Sequence, residues 1–270
     1  MNIIDYDNID EWEPWIDSIL SKIVPKNIEE IIANSHVEYF EDAAEVLYQN
    51  IEKNVVVECM IEELSDYFIR VYHGTRLSSG ELESVIKNGL HPLCLKDRKH
   101  TLIAIFQEHP EWNSVAPNLD RILDDLGAGN RAGKREDGKI HVCFSKNGLL
   151  KGCNHYLMYG AEVDWHVASM LFNDADLALK LLALNRKPCL ISFVSDFKSA
   201  LSAANPTGLN NIDVPSLLRL IIEAWAYRKK RRDFNPANLK NCTAAMFHGP
   251  KLADELEKIR IIDDLHSISG

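Results

Sequence analysis

His73, Gly74, Thr75 and Arg76 follow one another in the run VYHGTRL at 71–77, which sets an imidazole, a hydroxyl and a guanidinium around a residue without a side chain. VYH is a short β-prone run, and glycine accepts backbone angles and close ligand approach that a side chain forbids. The strand is therefore expected to break at Gly74 and to leave polar groups where a planar ligand can lie against the backbone. A second chemical run, KIHVCFS at 139–145, leads into NHYLMYG at 154–160. Tyr156 and Tyr159 are three residues apart and share a face if that segment is helical. An aromatic ring there offers a flat ligand a large contact at little entropic cost. Two acids stand out. Glu162 closes the segment YGAE, and Glu223 lies alone in LLRLIIEAWAY at 217–227, where an ionised carboxylate is costly unless paired.

HGTR, then about a dozen residues, then the NGL that closes VIKNGL at 85–90, resembles the opening of the diphtheria-toxin-like ADP-ribosyltransferases, which include the poly(ADP-ribose) polymerase catalytic domain. The resemblance implies that His73, Gly74, Thr75 and Arg76 hold the ribose and nicotinamide amide of NAD. It also implies that an apolar strand ending at Phe144 and Ser145 leads to a helix whose tyrosine stacks on nicotinamide. Tyr156 suits that role better than Tyr159 by its spacing from Phe144. The family places a catalytic glutamate near the start of a late strand, where it bonds a ribose hydroxyl and stabilises the oxocarbenium-like charge. The late strand expected here, CTAAMFHG at 242–249, contains no acid, so Glu162 or Glu223 would have to substitute.

The elements that must position these groups are readable. Ser78 or Ser79 caps a helix whose first turn holds Glu81 and Glu83 and which stops at Gly89, and a strand is expected from Leu90 to Leu95. From 96 to 139 the chain reads as less regular, with the basic stretches KDRKH and GAGNRAGKREDGK flanking a helix near 117–126. A helix over about 175–185, a strand at 188–197, a long helix opened by Asp213 or Pro215, and a closing helix and strand over 252–262 follow. The long helix ends in YRKKRRDF at 227–234. That run could touch nucleic-acid phosphates with Tyr227 and Phe234 as stacking surfaces, although cations at a helix C-terminus are also favoured by its dipole.

Residues 1–70 carry 17 acids against 4 bases, a net charge of −13, while the remainder carries 23 against 26. Helices at about 10–24, 37–53 and 55–69, with Trp12, Trp15, Ile16, Ile19 and Leu20 at helical spacing, make this first part an amphipathic cap with a solvated acidic face. The composition, 46% hydrophobic and 26% charged, is that of an ordinary globular protein. No apolar run approaches the roughly 20 residues of a membrane span, and the acidic start is unlike a secretory signal. Six scattered cysteines without a CxxC pair suggest reduced thiols and a cytoplasmic location. No HExxH, P-loop, GxGxxG or nucleophile elbow is present, and no metal site is expected.

The resulting expectation is an α+β protein with an acidic helical region over 1–66 and an ADP-ribosyltransferase-like split mixed sheet over 67–270. It would act as a mono-ADP-ribosyltransferase that uses NAD as co-substrate and a protein or nucleic acid as acceptor. A bacterial or phage-defence toxin, with an inhibitor or antitoxin as partner, would suit it by analogy. The alternatives are an inactive module of the same fold that binds protein or nucleic acid, and an NAD glycohydrolase.

Overall fold

The computed structural model describes residues 1–126, 138–206, 208, 212–240 and 243–263. The glycine-rich basic stretch singled out above lies almost entirely outside them. The chain is a mixed α and β protein with one six-stranded sheet. Its strands are β1 (Ile3–Ile4), β2 (Phe68–Leu77), β3 (Lys139–Cys143), β4 (Lys187–Asp196), β5 (Ala244–His248) and β6 (Leu256–Ile261). They lie in the order β5-β3-β2-β4-β6, with β1 added to β2. β1 runs parallel to β2, with Ile3 opposite Phe68 and Ile4 opposite Ile69. β6 is antiparallel to β4 from Cys189–Ile261 to Phe193–Leu256, with an irregularity at Ser192 and Phe193.

The chain divides into two compact units, one of residues 1–71, 143–152 and 194–245, the other of residues 72–142, 153–193 and 246–270. The first contains helices α1 (Ile9–Leu20), α2 (Ile28–Asn34), α3 (Asp42–Tyr48) and α4 (Lys53–Glu63). α1 buries Ile9, Trp12, Ile16, Ile19 and Leu20, the stripe that the spacing predicts. α2 was not expected, and the single helix expected over 37–53 is confined to the α3 turns.

The long helix expected after Asp213 forms at Ser216–Lys230 and packs with α1, α2 and α3. The basic run at its end is taken up within this unit. Lys229, whose side chain is 2% exposed, pairs with Asp17 at 2.6 Å, Glu13 at 2.9 Å and Glu29 at 3.4 Å. Arg228 reaches Asp10 at 2.6 Å and Arg232 reaches Glu29 at 3.2 Å. Lys230 Nζ donates to the Ala33 and Ser35 carbonyls, at the C-terminus of α2. The acidic face of the N-terminal segment is thus partly a set of counter-ions, and the basic run has structural partners as well as the helix dipole.

The second unit carries α5 (Ser79–Asn88), α6 (Leu95–Phe106), α7 (Trp112–Val115) and α8 (Leu119–Leu126). Three further helices follow β3 in this unit, His155–Tyr159, Glu162–Leu171 and Ala175–Ala183. One apolar core joins α6, α8 and the helices Glu162–Leu171 and Ala175–Ala183, with Leu102, Phe106, Ile122, Val167, Leu171 and Leu182 among its members.

Three expectations are corrected. β2 does not break at Gly74 but continues to Leu77, because a strand paired on both sides gains more from its ladder than one glycine costs. The expected strand from Leu90 to Leu95 is a single bridge at Leu90 to Lys251, and α6 (Leu95–Phe106) occupies the start of the stretch from 96 read as less regular. Cys143 is disulfide-bonded, whereas Cys59, Cys94, Cys153 and Cys189 are free. No helix among the described residues is long and apolar enough to cross a membrane.

Removing a buried charge's partner leaves the other ion desolvated and unpaired, which costs several kcal/mol. Replacing Glu13 and Asp17 together by Ala leaves the buried Lys229 ammonium with Glu29 alone and is expected to lower the free energy of unfolding by about 3 kcal/mol, read from urea denaturation. A loss below about 1 kcal/mol would class these contacts with ordinary surface pairs.

Candidate functional site

β2 delivers the first chemical run. Its two-residue period sets His73, Thr75 and Leu77 on one face, and all three line a cavity of about 310 Å³ in the second unit, the lower end of the size of small-molecule sites. Where β2 ends, Ser78 Oγ accepts from the Glu81 amide at 3.3 Å and Glu81 Oε2 accepts from the Ser78 amide at 2.8 Å. This reciprocal cap turns the chain sharply into α5 and brings Glu81, Ser84 and Val85 to the cavity wall. Gly89 closes α5 with φ of +86°, and a Cβ there would collide with the Lys251 carbonyl. Only glycine lets the Leu90–Lys251 bridge form at that corner.

His73 Nδ1 lies 2.7 Å from the His141 carbonyl oxygen. A carbonyl can only accept, so Nδ1 carries the proton and Nε2 is left as an acceptor. Desolvation pushes the His73 pKa down to about 4, which keeps the ring neutral at physiological pH. A neutral Nε2 suits a ligand hydroxyl.

Tyr156 and Glu162 both line the same cavity, and the Tyr156 hydroxyl donates to Glu162 Oε2 at 3.4 Å. The turn between them is made by Gly160, with φ of +90°. Tyr156 also lies against His155, with ring centroids 4.1 Å apart. Gly74 lines the cavity, whereas Tyr159 is not among its walls.

Arg76, on the opposite face of β2, donates to the carbonyls of Leu157, Met158, Ala183 and Arg186 at 2.6–3.3 Å. It fixes the Tyr156 helix and the approach to β4, and is not itself a wall of the cavity. Phe144, Ser145 and Glu223 belong to the first unit. Phe144 is fully buried. Ser145 Oγ donates to Asp7 at 2.6 Å and accepts from the Gly148 amide at 2.7 Å, capping the short helix Lys146–Lys151. Desolvation pushes the Glu223 carboxyl up to about 7, with Glu41 and Glu45 adding to the rise and Arg219 opposing it.

The residues not anticipated are charged. Asp164, which has no exposed surface, accepts from Arg98 Nε at 2.7 Å and also from Arg98 Nη2. Arg98 Nη1 continues to Glu81 at 3.2 Å, and Arg186 Nη2 reaches the same Glu81 oxygen at 2.9 Å. Both arginines line the cavity. Arg98 could have been placed by its three-residue spacing from Leu95 on one helix face. Arg186 has no local signal at all. Among the described residues no group of three or more His, Cys, Asp or Glu is placed to hold a metal ion.

No protein-family model matches the chain, and no curated protein or solved structure matches it at a significant level. The reading of the site therefore rests on its own geometry.

Because the folded ring refuses a proton down to about pH 4 while an unfolded histidine takes one near pH 6.5, His73 makes the fold progressively less stable as pH falls through that window. Nitrogen chemical shifts of the His73 ring should report the neutral Nδ1–H tautomer from pH 7 to below pH 5. A midpoint above pH 6 would contradict the assignment.

Proposed function

We propose that the cavity binds NAD and that the protein transfers its ADP-ribose to a macromolecular acceptor, a protein or a nucleic acid. The observation that carries this reading is the convergence of His73 and Thr75 from one sequence run with Tyr156 and Glu162 from another on a single cavity. The six-stranded mixed sheet is compatible with an ADP-ribosyltransferase-like split sheet.

In this reading the nicotinamide ring lies on Tyr156, His73 Nε2 accepts from a ribose hydroxyl, and Thr75 lines the ribose end. The apolar side chains of Val85, Leu90 and Ile140 line the same space and exclude water from it. β5 holds no acid, so Glu162 takes the charge-stabilising role. The Tyr156 hydroxyl orients its carboxylate, and Glu162 is a wall of the cavity while Glu223 is not. As the glycosidic bond breaks, its electron pair passes to the pyridinium nitrogen and neutral nicotinamide leaves. Positive charge then develops at the anomeric carbon, where a fixed carboxylate stabilises it. The acceptor's lone pair forms the new bond and its proton passes to solvent or to Glu162.

The test is release of nicotinamide from labelled NAD by the whole chain, with cell lysate supplying the acceptor. Glu162→Gln is expected to slow release about a hundredfold or more, and His73→Ala to abolish label transfer. Label in protein or in nucleic acid names the acceptor class. Release without transfer would indicate a glycohydrolase, and no release from wild-type protein would replace the enzyme by a binding module. If the transferase is a toxin, expression of wild type halts growth and His73→Ala does not.

A further inference from the structure

Arg186, immediately before β4, has a side chain only 6% exposed. Its Nη2 donates to the Arg76 carbonyl at 2.9 Å and to Glu81 at 2.9 Å. Nε and Nη1 are buried and have no partner among the described residues. Those two nitrogens carry three N–H groups, and leaving such donors buried and unmatched is unfavourable. The surroundings add to the imbalance. The guanidiniums of Arg98 and Arg186 meet on Glu81, Asp164 answers Arg98, and the Arg76 guanidinium donates to the main-chain carbonyl of Arg186. Arg76 is bonded to carbonyls, so the patch retains a surplus positive charge.

Arg186 borders two depressions. The second is walled by Ser78, Thr101, Glu108 and Leu181, and its Glu108 carboxylate repels an anion. The first, the cavity described above, has Arg98 in its wall together with Arg186, and its Glu162 carboxylate accepts from the Tyr156 hydroxyl. A phosphoryl group is the ligand chemistry that matches several N–H donors on a delocalised, permanently charged group.

We propose that Arg186 anchors a phosphoryl-binding subsite in the cavity wall, its side chain turning so that Nε and Nη1, closed off from solvent in this structure, take oxygens of the dinucleotide's pyrophosphate. This assignment rests on the NAD reading for the identity of the ligand, while the oxyanion chemistry follows from the unmatched donors alone.

Calorimetric titration of the whole chain with ADP-ribose, nicotinamide riboside and inorganic pyrophosphate tests it. Pyrophosphate should bind wild-type protein and compete with ADP-ribose. Arg186→Lys keeps the charge and loses the donor geometry, so it should weaken ADP-ribose roughly tenfold to hundredfold and leave nicotinamide riboside, which lacks phosphate, unchanged. Pyrophosphate that fails to bind, or that binds wild type and Arg186→Lys equally, overturns the subsite. If the variant does not fold, competition by pyrophosphate in wild type decides alone. Pyrophosphate binding without NAD turnover supports the subsite and removes the transferase reading. Turnover that pyrophosphate does not inhibit overturns the subsite and leaves the transferase reading standing.

Discussion

Asp164 is an ionisable side chain with no exposed surface, and the bidentate pair it makes with Arg98 is the constraint on which the second unit depends. A carboxylate so placed is tolerable only when a guanidinium matches both oxygens, and losing either partner costs on the order of 3–5 kcal/mol. The pair fastens the helix Glu162–Leu171 to α6. Through Glu81 it continues to the capped start of α5 and to Arg186, and Arg186 in turn is bonded to the end of β2. Several walls of the cavity, those from β2, α5, α6 and the approach to β4, are thus pieces of backbone that this one network joins. Glu162 stands two residues before Asp164, at the start of the same helix, so its position inherits the rigidity of the pair.

The first unit is organised by charge in a different manner. Its long apolar helix ends in a cluster of cations, and one of them, Lys229, is almost wholly buried. The acids of α1 and α2 are spaced to meet that cluster. The uneven division of charge along the chain is thus explained within the fold, since the N-terminal surplus of acids is partly consumed by a basic run some 200 residues later. A nucleic-acid ligand for that run would have to displace these partners.

Local chemistry was legible in the sequence and long-range chemistry was not. The cap Ser78–Glu81 and the glycine stop at Gly89 follow from types and spacing alone, and both form. So do the strand after Lys187, with its β-rich apolar run, and the stripe of α1. Gly74 misled because propensity is a single-residue quantity, whereas β2 is stabilised by neighbours that come from residues 139–143 and 187–196. α6 was obscured by its opening charges, although Leu95, Leu102 and Phe106 recur at helical spacing and are its buried residues. The separation between Arg186 and Glu81 is 105 residues, so no window along the chain could have shown that they share an oxygen. The pairing of Tyr156 with Glu162, by contrast, spans six residues, and the sequence already set both beside Gly160.

The central claim is that one cavity presents an aromatic surface, a neutral imidazole and a carboxylate to a nicotinamide riboside, with a guanidinium beyond them for the pyrophosphate. A crystal structure of the whole chain with a non-hydrolysable NAD analogue addresses it most directly. The account predicts the nicotinamide ring on Tyr156, a ribose hydroxyl at hydrogen-bonding distance from His73 Nε2, and a phosphate oxygen at hydrogen-bonding distance from Arg186. An analogue bound away from this cavity, or a cavity that stays without it at saturating concentration, would contradict the account.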